Sequence, residues 1–116
     1  MRNRISVIDY IEAGLKASRL RQSVIAHNIA NLSTPGFRRG EVVFEEILAK
    51  AGGRADPGEV VAQIVRPGDT PVNESGSDVS LEMEVGELVR NAASYKTYMR
   101  VLGRIYRQME MAAQIP

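Results

Sequence analysis

The chain has 116 residues, 15 of them Lys or Arg and 14 Asp or Glu, for a formal net charge of +1, which fits one compact unit and excludes a large multidomain enzyme. Hydrophobic residues make up 44% but aromatic residues only 5%, and Trp and Cys are absent. A disordered chain, a disulfide scaffold, a thiol nucleophile and a thiolate zinc or iron–sulfur site are thereby excluded, and the core has to be aliphatic. The near-neutral total conceals +5 over residues 1–40, −8 over 41–87 and +4 over 88–116. That pattern suits packing of the ends against the middle, or of one copy against another, better than a nucleic-acid stripe.

At the start of the chain, Asp9 and Glu12 stand where a secretory signal needs its apolar stretch, and no apolar run approaches the roughly 18 to 20 residues that span a bilayer. No Sec signal peptide is expected, and any export uses a route that reads none. Ile8, Ile11, Leu15, Ser18, Gln22, Ile25, Ile29 and Leu32 recur at spacings of three and four, predicting an N-terminal helix capped by Ser6 with Asp9 three residues on. Flanking Val7, Leu20, Val24, Ala26 and Ala30 widen its apolar face, so it is expected to meet more than one neighbour. The helix should stop near Asn31, because Ser33-Thr34-Pro35-Gly36 supplies the residues of a tight turn and the position before Pro disfavours helix.

The middle differs in kind. Residues 41–50, with Phe44, Ile47, Leu48 and Ala51 on one face, predict a short helix. Five Gly and three Pro follow between Gly52 and Gly76, interrupted by the β-branched run from Glu59 to Val65, which reads as one short strand. A single strand is not a sheet, so it is expected to pair with another copy, with a neighbour, or with nothing.

The clearest periodicity comes last. Leu81, Val85, Leu88, Ala92, Tyr95, Met99, Leu102, Tyr106, Met109 and Ala113 form an a/d stripe sustained for more than four heptads, which predicts one helix on the order of 50 Å long. Ser77, Asp78 and Ser80 offer N-cap oxygens, Glu82, Glu84 and Glu87 fill the first turns, and Arg90, Lys96, Arg100, Arg104 and Arg107 the later ones, as the helix dipole prefers. The expected fold is therefore mainly α: long N- and C-terminal helices in an antiparallel coiled-coil-like pair, joined by an irregular Gly/Pro-rich middle with room for a short helix and a short strand. Residues 1–33 with 78–116 are expected to form a discontinuous helical core, and 34–77 a turn, short helix and loop or β excursion. A bare helical hairpin of this size is marginal alone, which favours an assembly subunit.

No catalytic, cofactor-binding or metal-binding set emerges. His27 stands alone on its helix, the serines lack a spaced His and Asp, and Gly36-Phe37-Arg38-Arg39-Gly40 lacks the Lys-Ser or Lys-Thr of a phosphate loop. The acidic cluster Asp78, Glu82, Glu84 and Glu87 lacks calcium-loop spacing and reads as helix-start chemistry. Tyr95, Met99, Tyr106 and Met109 read as interhelical packing. One segment resists a purely local account: Asn28 and Asn31, three apart, end an aliphatic helix where Ala would hold it better.

Asn28-Ile29-Ala30-Asn31 followed by Thr34-Pro35-Gly36-Phe37 resembles the N-terminal signature of the bacterial flagellar rod and hook proteins, the axial family. Glu41-Val42-Val43-Phe44-Glu45, the Gly76 to Glu82 entry to the last helix, and Glu87 to Tyr95 extend the likeness over roughly residues 7–48 and 76–113. The resemblance implies a non-enzymatic structural subunit of the basal-body rod, in the periplasmic space, exported without a Sec signal and transmitting torque. It implies no cofactor and no small-molecule or nucleic-acid partner. Its partners would be further copies, other rod proteins of the FlgC, FlgF and FlgG types, a FliE-type adaptor with the membrane ring, and the flagellar export apparatus. The motif residues Asn28, Ala30, Asn31, Thr34, Pro35, Gly36 and Phe37 would set the helix-ending turn. Ile25, Ile29, Leu81, Leu88, Tyr95, Met99, Leu102 and Tyr106 would pack between subunits. The alternative is a soluble helical-hairpin adaptor or chaperone-like module whose groove takes a partner helix.

Overall fold

The structure, a computed structural model, describes residues 4–52 and 60–115, with side chains from residue 7. In chain order the elements are α1 (Arg4–Ala30), β1 (Glu41–Val43), α2 (Glu45–Ala51), β2 (Gln63–Val65) and α3 (Leu81–Ala113). The two long helices lie side by side in a body of 67 × 25 × 14 Å. Asn28 meets Glu84, Ser18 meets Asn91 and Gly14 meets Tyr98, so the pair is antiparallel, as expected. No helix of the described residues is long and apolar enough to cross a membrane.

Helix α1 begins at Arg4, so Ser6 lies inside it and is not its cap. Its buried face comprises Ile11, Gly14, Leu15, Ala17, Ser18, Ile25 and Asn28. Gln22 of the expected stripe is exposed, and Arg21 is half-buried beside it. The small residues have a specific use: a Cβ on Gly14 would lie 2.5 Å from the Tyr98 ring. Helix α3 can approach α1 this closely because glycine stands there.

On α3, Ser80 is the N-cap, its hydroxyl accepting from the Met83 amide. Ser77 and Asp78, offered as alternative caps, are buried and bonded elsewhere. The last turn of α3 contains no basic residue, so the expected match to the dipole fails at that end.

The a/d stripe does not face α1. Buried Glu84 and Asn91 with half-buried Glu87, Ser94, Tyr98, Val101 and Ile105 form the covered face, and each stands one residue before Val85, Ala92, Leu88, Tyr95, Met99, Leu102 and Tyr106 respectively. One residue is about 100° around a helix, so the apolar stripe lies on the flank. Leu81, Val85, Leu88, Met99, Tyr106 and Met109 are exposed, and Tyr95 and Leu102 half-buried. Directional bonds hold this rotation, because Asn28 to Glu84, Asn91 to the Ser18 carbonyl, and Tyr98 over Gly14 are satisfied together only at this setting.

The middle folds onto α1. Residues 41–43, expected to open a helix, instead form β1, and helix α2 begins at Glu45. Val42 and Val43 suit a strand, and β1 pairs antiparallel with β2, Val42 opposite Ile64. The β-branched run thus finds its partner within the same chain, not on a neighbour, and Glu59 lies outside the described residues. Phe44, between β1 and α2, is buried against Ala17 and Val60, with Tyr10, Ala13, Ile47 and Leu48 around it. This single aromatic seats the excursion on α1. Helix α2 closes at Gly52, whose φ of 59° is the left-handed cap conformation.

Candidate functional site

The end of α1 is built by side chains reading backbone. The Asn31 carboxamide donates to the His27 carbonyl at 2.9 Å and accepts from the Thr34 hydroxyl at 3.1 Å, supplying partners where the helical ladder runs out. Next, the Phe37 amide donates to the Thr34 carbonyl across Pro35 and Gly36, with Gly36 at φ 79°. Proline at the second position and a left-handed glycine at the third make this a type II turn. The turn is stitched to the approach to α3: the Gly36 amide donates to the Gly76 carbonyl at 3.0 Å and the Asp78 amide to Phe37 at 3.3 Å. Phe37 is half-buried, edge-on to the exposed His27 ring at 5.6 Å.

Asn28 has a different role from Asn31. Its Nδ2 donates to the Gly40 carbonyl at 2.9 Å, and its Oδ1 accepts from the Gly40 amide at 3.0 Å, so a side-chain amide pairs with a peptide as a strand would. The same Nδ2 donates to Glu84 Oε1 at 3.0 Å. On the other oxygen, Glu84 accepts from Arg39 Nε at 2.7 Å, and the Arg39 guanidinium also pairs with Glu41. Glu84 is 0% exposed and Arg39 3%. Although burial opposes its charge, the hydrogen bonds and charges of Glu84 and Glu41 hold the guanidinium pKa above its ordinary value. Glu84 does lie in the first turn of α3, as its sequence position implies, and it also anchors a buried ion pair between α3 and the segment after the turn.

A second residue without a sequence signal completes the joint. Asn73 Nδ2 lies within bonding distance of the carbonyls of Leu32 and Val79 and of Ser77 Oγ, and its Oδ1 accepts from the amides of Ser75 and Ser77. The Ser77 hydroxyl donates to Leu32 at 2.7 Å, and the Arg39 amide donates to Asp78 Oδ1 at 2.6 Å. Further along the helix pair, Arg21 donates to Glu45 at 2.7 Å, to the Val42 carbonyl at 3.1 Å and to Asn91 at 3.3 Å, while the Tyr98 hydroxyl donates to Glu45 at 2.9 Å. Burial and the bond to Glu45 push the Tyr98 pKa up to about 12. Burial alone would raise Glu45, but the bond and charge of Arg21, its own backbone amide and the Tyr98 hydroxyl together outweigh it, and the carboxyl lies below its ordinary range.

The motif residues Asn28, Asn31, Thr34, Gly36 and Phe37 thus meet in one joint, with Pro35 exposed at its tip and Ala30 at the end of α1. Ile25 is buried and Ile29 half-buried, whereas the α3 packing candidates lie on the flank stripe, Leu81, Leu88, Met99 and Tyr106 exposed and Tyr95 and Leu102 half-buried. Sequence reasoning missed Gly14, Arg39, Asn73 and Glu84. A glycine inside a helical pattern was a usable signal for Gly14, but Asn73 sits in an irregular loop that gives none. Among the described residues no group of His, Cys, Asp or Glu could hold a metal ion. Chemically the arrangement fixes the angle between helix, turn and helix.

A family described as flagella basal body rod protein matches residues 11–38, which run from mid-α1 through the turn. The chain is similar to the flagellar basal body rod protein FlgB of Bacillus subtilis, 28% identical over 101 residues covering 77% of this chain and 78% of that protein. It is likewise similar to FlgB of Borreliella burgdorferi, 26% identical over 127 residues, covering 90% and 93%. Over a shorter stretch it resembles the flagellar basal-body rod protein FlgG of Buchnera aphidicola subsp. Schizaphis graminum, 43% identical over 37 residues, covering 32% and 14%.

Proposed function

We infer that this chain, a member of the flagellar basal body rod protein family of the FlgB type, works in the flagellum as a structural rod subunit assembling with other rod proteins. The observation that carries this reading is where the family match falls. Residues 11–38 hold Asn28 and the Thr34 to Phe37 turn, and these are the groups that fix the joint between α1 and α3. A fixed joint with an uncovered apolar flank is what a subunit of a rigid tube needs, since each copy then presents the same surfaces at the same angle.

Within that role the chain belongs to the proximal rod, with FlgC as the similar family member most easily confused with it. It lies in the periplasmic space, is exported by the flagellar apparatus without a Sec signal, meets a FliE-type adaptor at the membrane ring, and transmits torque. It catalyses nothing. Residues 1–33 and 78–116 form the rod core, Asn28 to Phe37 set the register, and Ile25, Ile29, Leu81, Leu88, Tyr95, Met99, Leu102 and Tyr106 pack against neighbours. The adaptor or chaperone alternative is not favoured, because the similar full-length relatives are rod proteins. Mass spectrometry of detergent-extracted hook and basal-body complexes, with a knockout strain in parallel, tests the reading. The chain should be present, and rods should be lost in the knockout; absence from intact complexes of a flagellated strain returns the adaptor to first place.

A further inference from the structure

The two-stranded sheet has one closed edge and one open edge. In an antiparallel pair, opposed residues alternate between bonding each other and turning their N–H and C=O outward. Arg21 donates to the Val42 carbonyl at 3.1 Å, while Asn28 accepts from the Gly40 amide at 3.0 Å and donates to its carbonyl at 2.9 Å. The outward groups of the β1 segment are thus those of Gly40 and Val42, and two side chains seven residues apart on α1, about two helical turns, close that edge. Val42 lies opposite Ile64, so the Ile64 N–H and C=O also turn outward, on the far edge of β2. Nothing bonds them among the described residues.

The run that carries this edge has the composition of a paired strand. Residues 60–65, Val60-Val61-Ala62-Gln63-Ile64-Val65, include four β-branched residues and no charge. Val61, Ile64 and Val65 are 60%, 52% and 37% exposed, and no charge or proline blunts the edge before Arg66 and Pro67. At the Val65 end the surface is basic. Arg66 and Arg38 are both exposed, the Arg66 guanidinium donates to the Arg38 carbonyl, and neither makes an ion pair among the described residues. Glu41, at the same end, is already paired with Arg39.

We propose that β2 accepts a further strand: an extended segment of a different polypeptide, β-branched where it faces Ile64 and carrying a carboxylate toward Arg66 and Arg38. An extended backbone offers the acceptor and the donor that the Ile64 N–H and C=O need at strand spacing, and the unpaired guanidinium groups call for the carboxylate. In antiparallel pairing that acid stands two residues before the one opposite Ile64. A second copy of β2 supplies none there, since the residue two before Ile64 is Ala62 and the one two before Ala62 is Val60. The inference goes beyond the rod assignment and does not depend on it.

The test is amide hydrogen exchange of the full-length chain, followed by NMR. In the free chain the Ile64 amide should exchange freely, and those of Gln63 and Val65, held in the β1 ladder, more slowly. An acetylated and amidated peptide, Glu-Thr-Val-Thr-Val-Thr, should slow Ile64 exchange. The same peptide with Lys in place of Glu should bind about three- to fivefold more weakly at low salt, and high salt should remove the difference. Ile64→Pro deletes the outward donor and leaves the ladder amides in place; it should lose binding with helix content unchanged. Should that variant misfold, the double variant Arg38→Glu with Arg66→Glu provides a second reading, and it should reverse the preference between the two peptides. Slow exchange of Ile64 in the free chain at every concentration means the chain closes its own edge, and protection that grows with chain concentration means a second copy does; either overturns the proposal. So do absence of peptide binding, equal affinity for the two peptides at low salt, and binding that survives Ile64→Pro. Presence of the chain in isolated basal bodies is read separately, so the rod assignment and the strand contact fail independently.

Discussion

The two ends of the helix pair are stabilised by opposite means. At the joint, where α1 ends and α3 begins, the buried groups are polar and charged: Asn28, Arg39, Ser77, Asp78 and Glu84 are all under 4% exposed. At the far end, from Tyr106 to Ile115, every residue of α3 and its last turn is exposed, Tyr106, Met109, Met111 and Ile115 among them. Hydrogen bonds between buried groups are directional and costly to leave unmade, whereas apolar contact is roughly proportional to area and tolerates many partners. The joint is therefore built to fix one geometry within the chain. The far end presents surface that the single chain leaves uncovered.

The largest test of this contrast is Glu84→Ala, which leaves the Arg39 guanidinium buried without its main partner. Unfolding by urea should show a loss of about 3 to 5 kcal/mol, and a loss below 1 kcal/mol would mean that the pair is not buried as described. Asn28→Ala strips partners from both polar groups of Gly40 and one from Glu84, and should cost about 2 kcal/mol in the same measurement. A Gly14→Ala change pushes a methyl into the Tyr98 ring, with an expected cost of about 1 to 3 kcal/mol. Replacing Leu88 by Ala, at a residue 37% exposed, should alter the stability of the isolated chain by no more than about 0.5 kcal/mol. If Leu88 packs between subunits, assembly of that variant suffers out of proportion to its melting temperature; a large monomer effect would show instead that the flank is covered within the chain.

A pH series sharpens the middle of the comparison. Tyr98 in the folded chain is raised from 10.0 to about 12, by burial first and then by its bond to Glu45. A raised folded-state pKa contributes stability that is complete below pH 10 and is lost as pH climbs from 10 through about 12. Tyr98→Phe should lower stability at neutral pH by about 1 kcal/mol and flatten that alkaline decline. Glu45 works in the other direction: its lowered pKa contributes stability at neutral pH that is lost on acidification through its folded value.

Residue by residue, what was legible was what is local. The turn at Thr34 to Phe37 could be read from Pro and Gly alone, because its dihedral angles are set by those two residues. Both long helices followed from their apolar spacing, and Asn31 behaves as a residue that ends a helix, bonding within one turn of itself. Asn28 looked like its twin and is not, since its partners Gly40 and Glu84 are 12 and 56 residues away. Residues 41–43 were misread as helix because their strand character depends on pairing with Gln63 to Val65 across the loop.

By itself, then, the amino-acid sequence determined that two long helices exist, that the first stops before the Thr34 to Phe37 turn, that the second carries an unbroken apolar stripe, and that the Asn-x-Ala-Asn and Thr-Pro-Gly-Phe segments resemble those of flagellar rod proteins. Periodicity and turn chemistry act over a few residues and are written in order along the chain. The tertiary structure decided which face of α3 meets α1, displacing the contact by one residue from the apolar stripe. It also made Glu84, a first-turn acid of α3, a buried counter-charge. That decision needs Arg39, 45 residues earlier, to be carried into place by the turn, and charge in a buried site is set by what surrounds it, which no stretch of sequence states on its own.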